Sequence, residues 1–291
     1  MRESPFFHYN SSFDATGVMK RYAVDGLKPD KDHLTNFLGV RIAPHFFPGI
    51  LDGHEGRIEP IPIPANWHAD IAEWAFALRT VDLAQETYKI VELGCGWGCW
   101  LNNTGVAARR RGLGIELIGV ESDLGHVQFA HQALETNGFT PDQYRIIHGA
   151  AGTRSGTALF PSFKSGYDWG SQPLFDTSED DQAAAIALGT HELASIYRLS
   201  DIYSEGIADL LHIDIQGSEA EFIESNIDHI EANVRRMLVG THSRVIEGNI
   251  MSFLLDRGWS LEIERPCIFG LESTQPVILV DGVQGWFSPY L

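Results

Sequence analysis

The ten residues Lys89–Ile90–Val91–Glu92–Leu93–Gly94–Cys95–Gly96–Trp97–Gly98 constrain this 291-residue chain more than any other segment. An apolar strand runs into an acid and then into glycines spaced G-x-G-x-G. Glycine permits the tight turn out of a parallel strand and lets bare backbone approach a ligand at the mouth of the sheet. The next largely apolar run, Ile115–Val120, is interrupted only by Glu116 and leads into Glu121. A carboxylate at the tip of the second strand can accept both hydrogen bonds of a ribose diol. The pair points to a nucleoside-containing ligand. Taken alone, the same residues would make an ordinary strand-to-helix turn with two solvated acids.

The spacing chooses between cofactors. A dinucleotide fingerprint reads G-x-G-x-x-G, so that a helix N-terminus meets the pyrophosphate. Here the third glycine, Gly98, comes one residue early, and Glu92 stands two residues before the first. A carboxylate there repels a pyrophosphate but suits a cationic sulfonium that also carries an ammonium group. The residues therefore favour S-adenosylmethionine. A nicotinamide-dependent oxidoreductase is the disfavoured alternative, and a noncatalytic binding or scaffold protein on the same fold is the other.

At 44% hydrophobic, the chain is long enough to bury a full α/β core with an appendage. Its 21 basic and 39 acidic residues leave a formal charge of −18, which repels nucleic acid and anionic membranes. The expected partner is a small-molecule or glycan acceptor, with no nucleic acid, no membrane, and room for a homo-oligomer. The cluster Arg109–Arg110–Arg111 reads as the dipole complement at a helix C-terminus. Cys95, Cys99 and Cys267 form neither a disulfide framework nor a metal-ligand spacing. No N-terminal signal segment and no membrane-length apolar run appears, so a cytoplasmic protein is expected.

Residues 1–65, rich in Phe and Pro, are too aromatic for disorder and read as an arm or cap on a main domain of residues 66–291. Within the arm, Asp32–Leu38 reads as a short helix. Trp67–Thr80 reads as an amphipathic helix with Ile71, Trp74, Ala75 and Leu78 on one face. Strands at Lys89–Leu93, 115–120 and Tyr144–His148 alternate with helices at 97–110 and 123–137, the pattern of βαβ units around a parallel sheet. Residues 152–190 break the pattern and read as a substrate-shaping insertion. Beyond it the sequence predicts a helix at Thr190–Tyr197, a buried strand at Asp209–Ile215, a helix from Ser218, a strand at Met237–Val239 and a helix at Ile250–Arg257. Ser260–Glu264 and Pro276–Val280 read as strands that pair antiparallel at the sheet edge.

This order of features is that of class I methyltransferases, and within them the chain resembles the FkbM-type enzymes. Leu211–His212–Ile213–Asp214–Ile215–Gln216–Gly217–Ser218–Glu219 is similar to that family's iDxxGxE segment, and Gly240–Thr241–His242–Ser243 and Asp256–Arg257–Gly258–Trp259 are similar to its later ones. The likeness covers roughly residues 85–285, and Gln216 departs from it where the family often has an acid. The resemblance implies an α/β Rossmann-like fold. Its mostly parallel seven-stranded sheet would have the order 3-2-1-4-5-7-6, with the inserted last strand antiparallel and helices on both faces. It also implies O-methylation of a hydroxyl on a sugar, glycoside or polyketide-like natural product.

Open α/β sheets bind ligands at the carboxyl ends of their strands. Glu92, Gly94, Gly96 and the backbone of Trp97 are expected at the methionine end of the cofactor, with Cys95 a small residue beside it. Glu121 should take the ribose hydroxyls, Ser122 should lie next to the ring, and Gly149 and Ala150 should meet the adenine edge. Asp214 and His242 close neighbouring strands and are the catalytic candidates. A histidine with an ordinary pKa of about 6.5 suits a general base, and Asp214 would orient it, take the proton itself or neutralise the sulfonium. His212 reads as a buried, hydrogen-bonded sheet residue, and His68 and Trp74 as packing residues. Tyr167, Asp168, Trp169 and Gln172 combine aromatic faces with polar edges, a surface suited to a sugar ring. Asp214, Glu219 and His242 offer donors that suit Mg²⁺, but their spacing matches no metal motif, and no metal is expected.

Overall fold

Alternation of apolar strands with amphipathic helices builds one central sheet with a hydrophobic core on each face. The computed structural model describes residues 4–162, 170–171, 174 and 177–291. Tyr167, Asp168, Trp169 and Gln172 lie outside the described residues.

The N-terminal residues form a two-residue strand β1 (Asn10–Ser11), helix α1 (Ala15–Tyr22) and a short pair, β2 (Leu34–Thr35) and β3 (Arg41–Ile42). Helix α2 (Ile71–Leu83) precedes β4 (Thr87–Leu93), α3 (Cys99–Arg110), β5 (Gly114–Glu121), α4 (Leu124–Thr136) and β6 (Tyr144–His148). Next come β7 (Ala150–Ala151), β8 (Gly156–Pro161), α5 (Glu179–Ala187), β9 (His191–Tyr197) and α6 (Leu199–Ile202). The chain continues through β10 (Leu210–Ile213), α7 (Glu219–Asn233), β11 (Arg236–Thr241), α8 (Arg244–Asp256) and β12 (Ser260–Arg265). A hairpin of β13 (Ile268–Glu272) and β14 (Gln275–Val280) leads to β15 (Gly282–Phe287).

The sheet runs β6-β5-β4-β10-β11-β15-β12-β1. Its first seven strands follow the expected order, with β15 antiparallel to both neighbours. The difference in detail is an eighth strand, because β1 pairs antiparallel with β12 at the edge. Strand β4 is buried along all but its first residue, as expected of a central parallel strand covered on both faces.

Residues from the N-terminal segment share a core with α2, α3 and α4: Met19, Leu34, Val40, Ile42 and Leu51 are fully buried beside Trp74, Leu101 and Leu134. Asn36 locks this contact. Its amide donates to Asn103 Oδ1 at 2.7 Å, and its oxygen accepts the N–H groups of Leu38 and Val40, both at 3.0 Å. That local side-chain-to-backbone bonding competes with a helix, so Asp32–Leu38 holds the short strand β2 between two turns, contrary to the expectation. The arginine cluster also serves this packing. Arg110 donates to the carbonyls of Tyr22 and Leu38, Arg109 to those of Asn137 and Gly138, and Arg111 to that of Val81. These guanidinium groups fasten neighbouring segments, a larger role than complementing a dipole.

Two other expectations fail. Thr190–Tyr197 is not helical; β9 occupies it and pairs with β8 and β7, burying Ala194 and Ile196 with strand periodicity. Pro276–Val280 pairs with Ile268–Glu272, while the partner of Ser260–Arg265 is β15. The burial of β15 was hidden in its composition, because Gly282, Gln284 and Gly285 are not hydrophobic residues. Gly285 has to be small: a Cβ there would strike Phe76 of α2 and Ile263 of β12. Helix α2 begins at Ile71, later than the apolar pattern suggests, because Asp70 caps it and forms a capping box with Glu73. Asp70 also makes a buried ion pair with Arg265 of β12.

Candidate active site

The carboxyl ends of β4, β5 and β10 open into one cavity of about 300 Å³, within the range of small-ligand pockets. Its wall includes Glu92, Gly94–Trp97, Glu121–Asp123, Gly149–Ala151, His212 and Asp214–Gln216. The glycine turn is required here by geometry as well as by backbone angle. Gly94 has φ +71°, and a Cβ on it would collide with the carbonyl of Asp214 in the adjacent strand. Strands β4 and β10 can therefore deliver their tips to the same cavity only with glycine at this position.

Glu121 is buried, and its two oxygens are held by backbone. Gly96 N donates to Oε2 and Asp123 N to Oε1, both at 2.8 Å. A carboxylate has about four acceptor sites, so the remaining ones are available to a ligand. Beside it, Ser122 Oγ donates to the carbonyl of Gly149 at 3.2 Å, joining the exits of β5 and β6.

Glu92 plays a part that its sequence position does not reveal. Its carboxylate accepts the N–H groups of Trp100 and Leu101 at 3.1 and 2.9 Å, where an acid complements the N-terminus of α3. Burial pushes its pKa up to about 8 despite those bonds. Glu73, also on the cavity wall, is pushed to about 8 by burial and by the charge of Asp70. His212 is buried as expected, but it lacks the expected hydrogen bond: Nδ1 has no partner among the described residues and lies 3.9 Å from Glu92 Oε1. Burial lowers its pKa to about 3, so the ring is neutral. His68 lines the cavity too, near Cys99 Sγ at 3.6 Å, and burial lowers its pKa to about 3 as well. Trp74 is a packing residue, edge-on to Phe37 and Trp100.

Asp214, on the cavity wall, meets His242 behind it, with His242 Nε2 at 3.4 Å from Asp214 Oδ1. Gln216, with φ +59° in the turn after β10, donates to the same Asp214 oxygen at 3.0 Å. Glu219 folds back from the first turn of α7 and accepts from His242 Nδ1 at 2.9 Å. Burial raises the pKa of Asp214 to about 6, partly offset by His242. For His242, burial opposes charge, but the Glu219 hydrogen bond and the charges of Asp214, Glu219 and Asp281 prevail and raise its pKa to about 9. The expectation of a neutral histidine base is thereby reversed: near neutral pH the ring is an imidazolium. Asp281, not recognised in the sequence, stands 4.0 Å from His242 Nε2.

These shifts predict how stability depends on pH in the ligand-free protein. Glu73 and Glu92 bind protons more tightly folded than unfolded between their ordinary pKa and about 8, and His242 does so between 6.5 and about 9. His68 and His212, held near 3, act in the opposite direction, but only below 6.5. Above 6.5, therefore, the folded state holds the excess protons and stability falls as pH rises. The melting temperature should drop between pH 6.5 and 9, and less steeply in Glu92→Gln. A flat or rising profile would contradict these assignments.

No helix among the described residues is long and apolar enough to cross a membrane. No family model matches the chain. The chain is 46% identical over 272 residues to a protein of Jannaschia sp. (strain CCS1) named "Putative methyltransferase", a match that covers 93% of this chain and 98% of that protein. Methyltransferase FkbM from Methylobacillus flagellatus KT superposes with a TM-score of 0.46 at 12% identity, over 75% of this chain but only 54% of that one. Precorrin-6y C5,15-methyltransferase from Geobacter metallireducens GS-15 superposes with a TM-score of 0.39 at 12% identity, over 74% of this chain and 86% of that one. The near-complete match to the Jannaschia protein decides the family, and the strand order agrees with it: the chain belongs to the methyltransferases and has the Rossmann-like fold of their class I members.

Proposed function

We propose that the protein is an S-adenosylmethionine-dependent O-methyltransferase whose acceptor is a hydroxyl of a sugar, glycoside or polyketide-like natural product, as the likeness to FkbM-type enzymes implies. The observation that carries the cofactor reading is the fixed placement of Glu121, held by Gly96 N at 2.8 Å so that the glycine turn and the second-strand acid share one cavity. The acids on the wall fit a cationic group, because burial, with the charges of neighbouring carboxylates, pushes the pKa of both Glu92 and Glu73 up. When bound, the sulfonium supplies an electrophilic methyl group and leaves as a neutral thioether.

The chain's own part is to hold the acceptor oxygen in line and to receive its proton. Asp214 suits the second task. Its carboxylate lines the cavity and is ionised above about pH 6. As the new C–O bond forms, the hydroxyl proton passes to Asp214, and the neighbouring His242 imidazolium steadies the carboxylate beforehand. No N/D-P-P-Y/F run follows β10 to favour a nucleobase nitrogen.

Calorimetric titration with S-adenosylhomocysteine, with NAD⁺ in parallel, tests the reading. Micromolar binding of the first alone is expected. Failure of folded protein to bind it, or binding of NAD⁺ instead, would refute the cofactor assignment.

A further inference from the structure

His242 is set among carboxylates from three separate segments. Glu219 Oε1 takes the His242 Nδ1–H and also accepts the backbone N–H groups of Ile215 and Gly217, at 3.2 and 2.9 Å. An oxygen surrounded by donors fixes the proton on Nδ1 and turns Nε2 the other way. There Nε2 meets Asp214 Oδ1 at 3.4 Å and Asp281 Oδ2 at 4.0 Å. In the ligand-free protein a proton on Nε2 answers these carboxylates, and a metal ion that displaced it would meet the ring lone pair and both carboxylates at once. A second observation points the same way. Glu219 is wholly buried, yet its Oε2 has no hydrogen-bond partner among the described residues.

We infer that Asp214, His242 and Asp281, backed by Glu219, form a site for one divalent transition-metal ion at the acceptor end of the cavity. Metal-bound histidines commonly give their second ring N–H to a carboxylate, which is what Glu219 accepts here. Ligand atoms of Asp214, Glu219 and His242 lie within 4.8 Å of one another. Donors about 2.1 Å from an ion stand roughly 3.0–3.4 Å apart in octahedral or tetrahedral sites. The Asp214–His242 pair at 3.4 Å already fits, and Asp281, with an exposed side chain, needs only a small rotation. Arg265, itself paired with Asp70, holds the Asp281 carbonyl at 2.5 Å and so anchors that residue at the site. One imidazole with two carboxylates suits Mn²⁺ or Zn²⁺ better than ions that favour oxygen alone. Held by Asp214 Oδ1 at the cavity wall, an ion here would lower the pKa of a nearby acceptor oxygen and leave Asp214 Oδ2 to take its proton. The spacing in sequence does not show the site because its ligands come from three different strand ends.

The test is calorimetry with Mn²⁺ alone on chelator-stripped protein at about pH 8, where protons compete less for the imidazole. One ion per chain is expected, with affinity weakened by about 10- to 100-fold or more in Asp214→Asn and in Asp281→Asn. Asp256→Asn, which alters an exposed acid on α8, should leave binding unchanged. The absence of saturable binding to the wild type, or binding that survives both ligand substitutions, overturns the inference. Because Asp281 is exposed, its variant separates loss of the site from loss of the fold. Only the ion's role at the acceptor rests on the proposed function. S-adenosylhomocysteine titrated in the presence of chelator reads the cofactor pocket separately, so either reading can fail while the other stands.

Discussion

Glu121→Ala is expected to weaken S-adenosylhomocysteine binding by roughly 10- to 150-fold, the loss of about 1.5–3 kcal/mol for one hydrogen bond to a charged group. The structure argues for the upper part of that range. Glu121 would be the ligand contact and is also the acceptor for Gly96 N and Asp123 N, so its removal frees two backbone donors and loosens the glycine turn. Glu121→Gln separates the two effects. Its single amide oxygen can still accept from one of those N–H groups, but the NH₂ would face the other donor. Binding should therefore be weakened in the glutamine variant and weaker still in the alanine variant. Unchanged calorimetric affinity in Glu121→Ala would remove the ribose assignment.

Asp214→Asn should leave S-adenosylhomocysteine affinity little changed while lowering turnover by about 10²- to 10⁴-fold, the usual contribution of a positioned acid or base. The amide keeps the shape and the backbone carbonyl that abuts Gly94 but cannot accept the hydroxyl proton. Release of S-adenosylhomocysteine with a responsive sugar or polyketide alcohol gives the readout. Turnover at the wild-type rate would exclude Asp214 as the proton acceptor. His242→Ala is expected to lose turnover too, but by another route: it strips Asp214 of its adjacent charge and leaves the buried Glu219 with backbone donors alone. Its defect should include a lower melting temperature, which Asp214→Asn should not show to the same degree.

The parts of the site that were legible from residue order share a physical basis. Gly94 and Gly96 belong to one continuous turn, whose backbone requirements are local. Glu121 and Asp214 end apolar strands, and parallel strands present their carboxyl ends at one edge of the sheet, so the position of each in its own run was enough. The helices and strands from β4 to β6 were legible for a related reason. Strands β4 and β5 are near-continuous buried runs between amphipathic helices, a pattern written along the chain whatever the elements pack against.

Elsewhere the outcome depended on partners distant in the chain. His191–Tyr197 became a strand because β8 and β7 offered it hydrogen bonds, and Asp32–Leu38 a short strand between turns because β3 paired with it and Asn36 was drawn into the contact with Asn103. Asp281 went unnoticed since an antiparallel strand begins where its parallel neighbours end, so the residue before β15 reaches the ligand edge rather than the residue after it. The charge of His242 belongs to the same class. Nothing adjacent to it in sequence raises its pKa to about 9; carboxylates brought from the turn after β10, the start of α7 and the exit of β14 do so together. Residue order thus settled the scaffold and the glycine turn, where interactions are local or follow the apolar pattern. Protonation states and the grouping around His242 arise from desolvation and charge between distant segments, which exist only once the chain has closed on itself.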